Sequence, residues 1–212
     1  MITSVIFDLD GVLVFTDKYH FLAWKQIADE LGIYFDEEIN NRLRGVSRMD
    51  SLEIILEKYD GEKLSSERKL ELATRKNGIY RELLENMTPG DVTDSVRETL
   101  KSLRARGYNI ALGSSSKNAR FILEKVNLLD AFDVISDGNN IVNSKPNPEV
   151  FVKAANFLDM PCNKCLVVED AEAGINAGKA AGMATVAIGD AASCHIADRD
   201  ITEFSQLLEI LL

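Results

Sequence analysis

With 212 residues, 46% of them apolar and 27% charged, the chain has the composition of an ordinary globular protein. It can fill one sizeable core, or a core domain carrying a smaller insert. The formal net charge of −10 argues against nucleic acid and anionic membrane as general partners. No apolar run approaches the roughly 20 residues that span a bilayer, and Asp8 and Asp10 cut the first apolar stretch, so it does not read as a leader; a cytoplasmic monomer is the expectation.

Residues 3–7 form a short β-rich run that stops at the turn Asp8-Leu9-Asp10-Gly11. From about residue 17 to residue 86 the pattern is helical. Tyr19, Ala23, Ile27 and Leu31 recur at three- to four-residue spacing up to Gly32. Leu52, Ile55, Leu56 and Tyr59 mark a second helix with Ser51 near its start, and residues 66–86 read as a long, charged third. After Thr88-Pro89-Gly90, helix and strand alternate. Helices over 95–106, 118–126, 147–158 and 171–181 lead into strands over 109–113, 133–136, 165–168 and 184–188, with Gly182 placed to cap the last helix. Each strand is a short, nearly continuous apolar run, as expected when helices cover both faces of a parallel sheet. The fold class is α/β: a Rossmann-like parallel-sheet core over residues 1–14 and 88–212, with an all-helical domain over residues 15–87 inserted after the first strand.

Cys162-x-x-Cys165 and Cys194-His195 supply a zinc tetrad on paper. However, Cys165 opens one strand whereas Cys194 follows the far end of another. If those strands are parallel neighbours, the pairs lie on the order of 15 Å apart at ~3.3 Å per residue, too far for Zn–S bonds of about 2.3 Å. Buried or incidental thiols are the simpler expectation.

In open parallel sheets, ligands bind beyond the carboxyl ends of the strands. The polar residues at those ends are Asp8 and Asp10, then Ser114, Ser115, Ser116, Lys117 and Asn118, then Lys145 in a loop, then Glu169 and Asp170. Each alone has an ordinary explanation: Asp-Gly makes turns, serines and carboxylates cap helices, and a lysine before proline is solvated. Their arrival at successive strand ends points instead to one site. Several carboxylates at one edge raise each other's pKa unless a cation joins them, and Mg²⁺ suits carboxylate and phosphate oxygens. A lysine and a serine beside them can hold transferring phosphoryl oxygens.

These residues also carry a family resemblance. The motifs Phe7-Asp8-Leu9-Asp10-Gly11-Val12, Ser114, Lys145-Pro146, and Glu169-Asp170-Ala171 with Ala173-Gly174-Ile175 make the chain resemble phosphotransferases of the haloacid dehalogenase superfamily over essentially its whole length. The insert resembles the helical cap of the subclass whose cap follows the first motif. Within it, Thr16, His20, Trp24, Arg44-Gly45-Val46-Ser47-Arg48, Ser51 and Arg75-Lys76-Asn77 resemble the mutase branch. Its members interconvert β-D-glucose 1-phosphate and β-D-glucose 6-phosphate through glucose 1,6-bisphosphate.

The resemblance implies that Asp8 is the nucleophile that becomes an aspartyl phosphate, and that Asp10 is the general acid/base. Asp8, Asp10 through its carbonyl, Glu169 and Asp170 would hold Mg²⁺, while Ser114 and Lys145 would hold the transferring group. Arg48, Ser116, Lys117 and Asn118, with Ser115 beside them, would take the non-reacting phosphate. His20 and Lys76 would couple cap closure to the placement of Asp10, with Thr16 in the hinge. Trp24, Ser51 and the loop Gly45, Val46, Ser47 would shape the sugar pocket. Two positions depart from the family: Phe15 stands where Asp is usual, and Arg44 where Lys is common. The partner would be a small phosphorylated sugar. The competing expectations are hydrolysis of a sugar phosphate by the same Asp8 chemistry and an inactive binding protein on the same fold. A nucleotide loop at Gly174-x-x-x-Gly178-Lys179 is one residue short and falls within a helix.

Overall fold

The computed structural model describes residues 1–43 and 46–211, so Arg44, Gly45 and Leu212 lie outside the described residues. The chain divides into two compact units, Met1–Phe15 with Thr88–Leu212, and Thr16–Met87.

In the first unit six parallel strands run β1 (Ser4–Phe7), β2 (Asn109–Gly113), β3 (Val134–Ser136), β4 (Cys165–Glu169), β5 (Ala184–Ala187) and β6 (Arg199–Asp200). Their order across the sheet is β3-β2-β1-β4-β5-β6, so the first strand lies inside it, between two strands that come much later in the sequence. Phe7 pairs with Leu112 on one side and Val168 on the other. The residues that follow, Asp8, Gly113 and Glu169, therefore emerge level with one another. The chain reverses direction across the sheet between β1 and β4, the kind of crevice where open α/β sheets bind ligands.

The expected parallel sheet is present, with one strand more than anticipated. β6 is two exposed residues with no apolar run to announce it; its pairing with Val186 and Ala187 alone makes it a strand.

Between these strands lie α5 (Asp94–Ala105), α6 (Ala119–Lys125), α7 (Glu149–Phe157) and α8 (Glu172–Ala180), and α9 (Leu207–Ile210) follows β6. On one sheet face, Val150, Phe151, Ala154 and Ala155 of α7 and Ala177 of α8 pack on Ile6, Ala111, Cys165 and Val167. All of these are fully buried. Burial on this scale, at about 25 cal/mol per Å² of apolar surface, is what fixes the strand ends in place.

The second unit comprises α1 (Asp17–Glu30), α2 (Glu37–Asn41), α3 (Arg48–Leu56) and α4 (Ser66–Leu84). Its own core joins Trp24, Ile27 and Ala28 of α1 to Leu52 and Ile55 of α3 and Leu72 and Ala73 of α4. The N-termini of α2, α3 and α4 are capped by side chains: Asp36 accepts from Ile39 N, Ser47 from Asp50 N and Ser65 from Arg68 N. No described helix is long and apolar enough to cross a membrane.

Candidate active site

Three carboxylates meet at the ends of β1 and β4. Oxygens of Asp8, Glu169 and Asp170 all lie within 4.8 Å of one another. Lys145 reaches them from the loop before α7, and its ammonium bonds both Asp8 Oδ1 and Glu169 Oε1. The same ammonium sits 4.7 Å from the centre of the Phe151 ring, so a cation is accommodated on that side as well. The second oxygen of Glu169 accepts from the backbone N–H groups of Asp170 and Ala171, at 2.9 Å each. Glu169 is thus held at both oxygens. The Lys145–Pro146 peptide is cis.

The close packing depends on a glycine. Gly11 has φ +81°, and a Cβ there would run into the Asp170 carboxylate. Its N–H bonds Val14 O at 2.7 Å, closing the turn that follows Asp8 and Asp10.

The electrostatics follow from burial and crowding. Asp8 is 7% exposed, and burial raises its pKa; the charge of Lys145 opposes this and that of Glu169 adds to it, leaving the carboxyl pushed up to about 7. Burial, then the charges of Asp8 and Glu169, push Asp170 up to about 9. Burial alone would lower Lys145, but Asp8 and Glu169 outweigh it and hold the amine above its ordinary value, so it stays charged. Asp8 and Glu169 thus share one buried cation, with Asp170 crowded beside them. Hard oxygen donors grouped this closely, and reluctant to ionise together, fit a further divalent cation.

Beside the cluster, the loop after β2 is folded on its own serines. Ser116 N donates to Ser114 Oγ at 3.1 Å, and Asn118 N to Ser116 Oγ at 3.2 Å. Ser114 and Asn118 are buried and Lys117 is exposed. The Ser115 hydroxyl is buried and has no hydrogen-bond partner among the described residues. Asp10 is partly exposed, two residues beyond Asp8.

In the helical unit a second polar group forms. Lys76, 3% exposed, bonds His20 Nδ1 at 2.8 Å and lies over the rings of Tyr80 and Trp24, at 4.6 and 4.9 Å. The His20 and Tyr80 rings are 4.1 Å apart. Burial first, then the charges of Lys76 and Arg48, hold His20 well below its ordinary pKa. The imidazole is therefore neutral. With an ammonium facing Nδ1, that nitrogen accepts and the proton sits on Nε2.

Arg48 donates to Asn77 Oδ1 at 2.8 Å, and burial lowers the pKa of its guanidinium. Sequence reasoning passed over this role of Asn77, because a bond between residues 29 positions apart on two helices leaves no periodic signal.

The other anticipated residues of this unit are placed as follows. Thr16, 1% exposed, precedes α1, and its carbonyl accepts from Tyr19 N and His20 N. Ser47 caps α3, also donating to Asp50 Oδ2 at 2.6 Å, and Val46 is exposed. Ser51 is buried within α3. Trp24 is 2% exposed in the core of the unit, and its link to the polar group runs through Lys76. Gly45 lies outside the described residues.

The profile of the haloacid dehalogenase-like hydrolases matches residues 2–182. The chain is 43% identical to the β-phosphoglucomutase of Bacillus subtilis strain 168 over 98% of its own length and 93% of that protein. It is 32% identical to a phosphorylated carbohydrates phosphatase of Thermotoga maritima, over 85% of this chain and 82% of the relative. A crystal structure of β-phosphoglucomutase from Clostridium difficile superposes with a TM-score of 0.91 at 36% identity, covering 100% of this chain and 96% of that one. The chain belongs to the haloacid dehalogenase-like hydrolase family. Within it, the mutase likeness spans the α/β unit and the helical insert alike.

Proposed function

We propose that this protein is a β-phosphoglucomutase: it interconverts β-D-glucose 1-phosphate and β-D-glucose 6-phosphate through an aspartyl-phosphate enzyme and glucose 1,6-bisphosphate. The observation that carries this is the 43% identity to a mutase over nearly the full length of both chains.

Asp8 is the nucleophile. Its carboxylate oxygen attacks phosphorus, the bond to the sugar oxygen breaks, and the aspartyl phosphate splits one hard transfer into two easier ones. The ammonium of Lys145 already bonds Asp8, and it suits the charge that gathers on the transferring oxygens, as does the Ser114 hydroxyl. Asp10 takes a proton from the attacking sugar hydroxyl and returns one to the departing oxygen.

Asp8, Glu169 and Asp170, with the Asp10 carbonyl, would hold Mg²⁺. Bound there, it would offset the charge shared by the carboxylates and the phosphoryl group. In the α/β unit, Ser116, Lys117 and Asn118 are the groups for the non-reacting phosphate; in the helical unit, Arg48 is the cation suited to a substrate phosphate. His20 and Lys76 form one bonded pair in the helical unit, and by the family resemblance it would couple cap closure to the placement of Asp10. The likeness to a carbohydrate phosphatase supports the alternative, hydrolysis by the same Asp8 chemistry with water as acceptor.

Phosphorus NMR separates the two. With Mg²⁺, β-glucose 1-phosphate and a trace of bisphosphate, glucose 6-phosphate accumulates without stoichiometric inorganic phosphate. Release of phosphate in step with substrate loss would instead make the protein a phosphatase.

A further inference from the structure

The loop from Ser114 to Asn118 rests on a turn supplied by the neighbouring strand. β3 ends at Ser136, whose carbonyl accepts from Ser114 N at 3.0 Å. In the next three residues, Gly138 N donates to Ser116 O at 3.2 Å and Asn139 Nδ2 donates to Lys117 O at 3.0 Å. Asp137, 3% exposed, fixes this turn: its Oδ1 accepts from Asn139 N at 2.9 Å, and its Oδ2 faces Arg120 Nε at 3.9 Å. Asp137 Oδ2 has no hydrogen-bond partner among the described residues, so the ion pair with Arg120 is what balances it.

Contact between turn and loop is close. A Cβ on Gly138 would come within 2.8 Å of Lys117 N and 2.9 Å of Lys117 Cγ, and would collide with the Ser115 carbonyl oxygen. The result is electrostatic as well as steric. The carbonyl oxygens of Ser116 and Lys117, whose partial negative charge would repel a phosphate, are both engaged by donors from the turn.

We propose that residues 137–139 are a positioning element for the loop segment 115–118, beyond Ser114, which Ser136 of β3 holds separately. Gly138 and Asn139 set the height of the loop and the direction of its carbonyls, and so its affinity for the non-reacting phosphate. This rests on the assignment of that phosphate to Ser116, Lys117 and Asn118. The three turn residues bond or pack against the loop or one another. They act through the loop, so their effect belongs in KM and not in the chemical step.

The test compares Gly138→Ala, Asn139→Ala and Ser116→Ala in two reactions. One is turnover of β-glucose 1-phosphate at saturating bisphosphate. The other is phosphorylation of Asp8 by acetyl phosphate, a donor with no second phosphate. Gly138→Ala is expected to raise KM for the sugar phosphate about tenfold and Asn139→Ala about threefold, with kcat and the acetyl phosphate rate within about twofold of the parent.

Unchanged KM in both turn variants, while Ser116→Ala raises it, overturns the positioning role alone. A silent Ser116→Ala overturns the phosphate assignment, and the inference with it. A parallel fall in the acetyl phosphate rate would mean general damage to the site and equally overturns it. Should Gly138→Ala fail to fold, Asn139→Ala at its exposed position carries the test.

Discussion

The two units hold their charged groups in different ways. In the α/β unit, Asp8 and Glu169 sit at the ends of paired strands, so the sheet register places them, and Lys145 binds both from a loop. In the helical unit, His20, Arg48 and Lys76 project from helices and are steered by single side-chain bonds and ring faces. Other charges of that unit form exposed pairs, such as Arg42 with Glu57 and Lys69 with Glu53. Solvent screens pairs of this kind, so they hold little. On the proposed function, the contrast is a division of labour: the carboxylates that would meet phosphorus are tied to the backbone ladder, whereas the helical unit's groups for substrate are held through side chains.

The sharpest way to break this contrast is Asp8→Asn, which removes the nucleophile while keeping its shape. Turnover is expected to fall about 10⁴-fold or more, with no aspartyl phosphate in the phosphorus spectrum. Unchanged turnover would end the covalent mechanism.

Next comes Lys145→Ala, which leaves two buried carboxylates without their shared cation. Stability at neutral pH is expected to drop by about 3 kcal/mol, read as a lower urea midpoint, alongside a loss of rate of at least about a hundredfold. Gly11→Ala is milder. Its methyl group displaces the Asp170 carboxylate, and Mg²⁺ affinity measured by titration calorimetry should weaken about tenfold. An unaltered Mg²⁺ affinity would remove Asp170 from the cation site.

In the helical unit the effects should be smaller and confined to recognition. Arg48→Ala is expected to raise KM about tenfold and Asn77→Ala about threefold, with no further rise in the double variant, because Asn77 acts on substrate through its bond to Arg48. Additive increases would show that Asn77 has a separate role.

The smallest effect is a pH dependence. His20 is held neutral in the folded protein while the unfolded chain titrates near 6.5, so the unfolded state gains protons first as pH falls. The His20 contribution to stability is full above about pH 6.5 and declines below it. In His20→Asn, the change in urea midpoint between pH 7 and pH 5.5 should be flatter than in the parent; an identical slope would show that His20 is not held neutral.

How much of this was legible in the sequence follows the same contrast. Strands such as Val5-Ile6-Phe7 and Leu166-Val167-Val168 announce themselves by unbroken apolar runs, and the polar residues that end them mark one sheet edge without any knowledge of tertiary structure. Elements with no apolar pattern were missed. β6 is two charged residues, and α2 is a five-residue helix of Glu, Ile and Asn whose only signal was Asp36 ahead of Glu37 and Glu38. Side-chain pairings between distant positions, such as Arg48 with Asn77 or the carbonyl of Lys117 with Asn139, are fixed by packing and leave no spacing to read.

The interior place of β1 also bears on biogenesis. Asp8 directly follows β1, yet the carboxylates beside it come from the end of β4, some 160 positions later. Every nascent or truncated fragment ending before Glu169 carries Asp8 without the carboxylates and the strand that shelter it. On the proposed function, such fragments lack the groups for phosphoryl transfer, and competence requires the long-range pairing of β1 with β4.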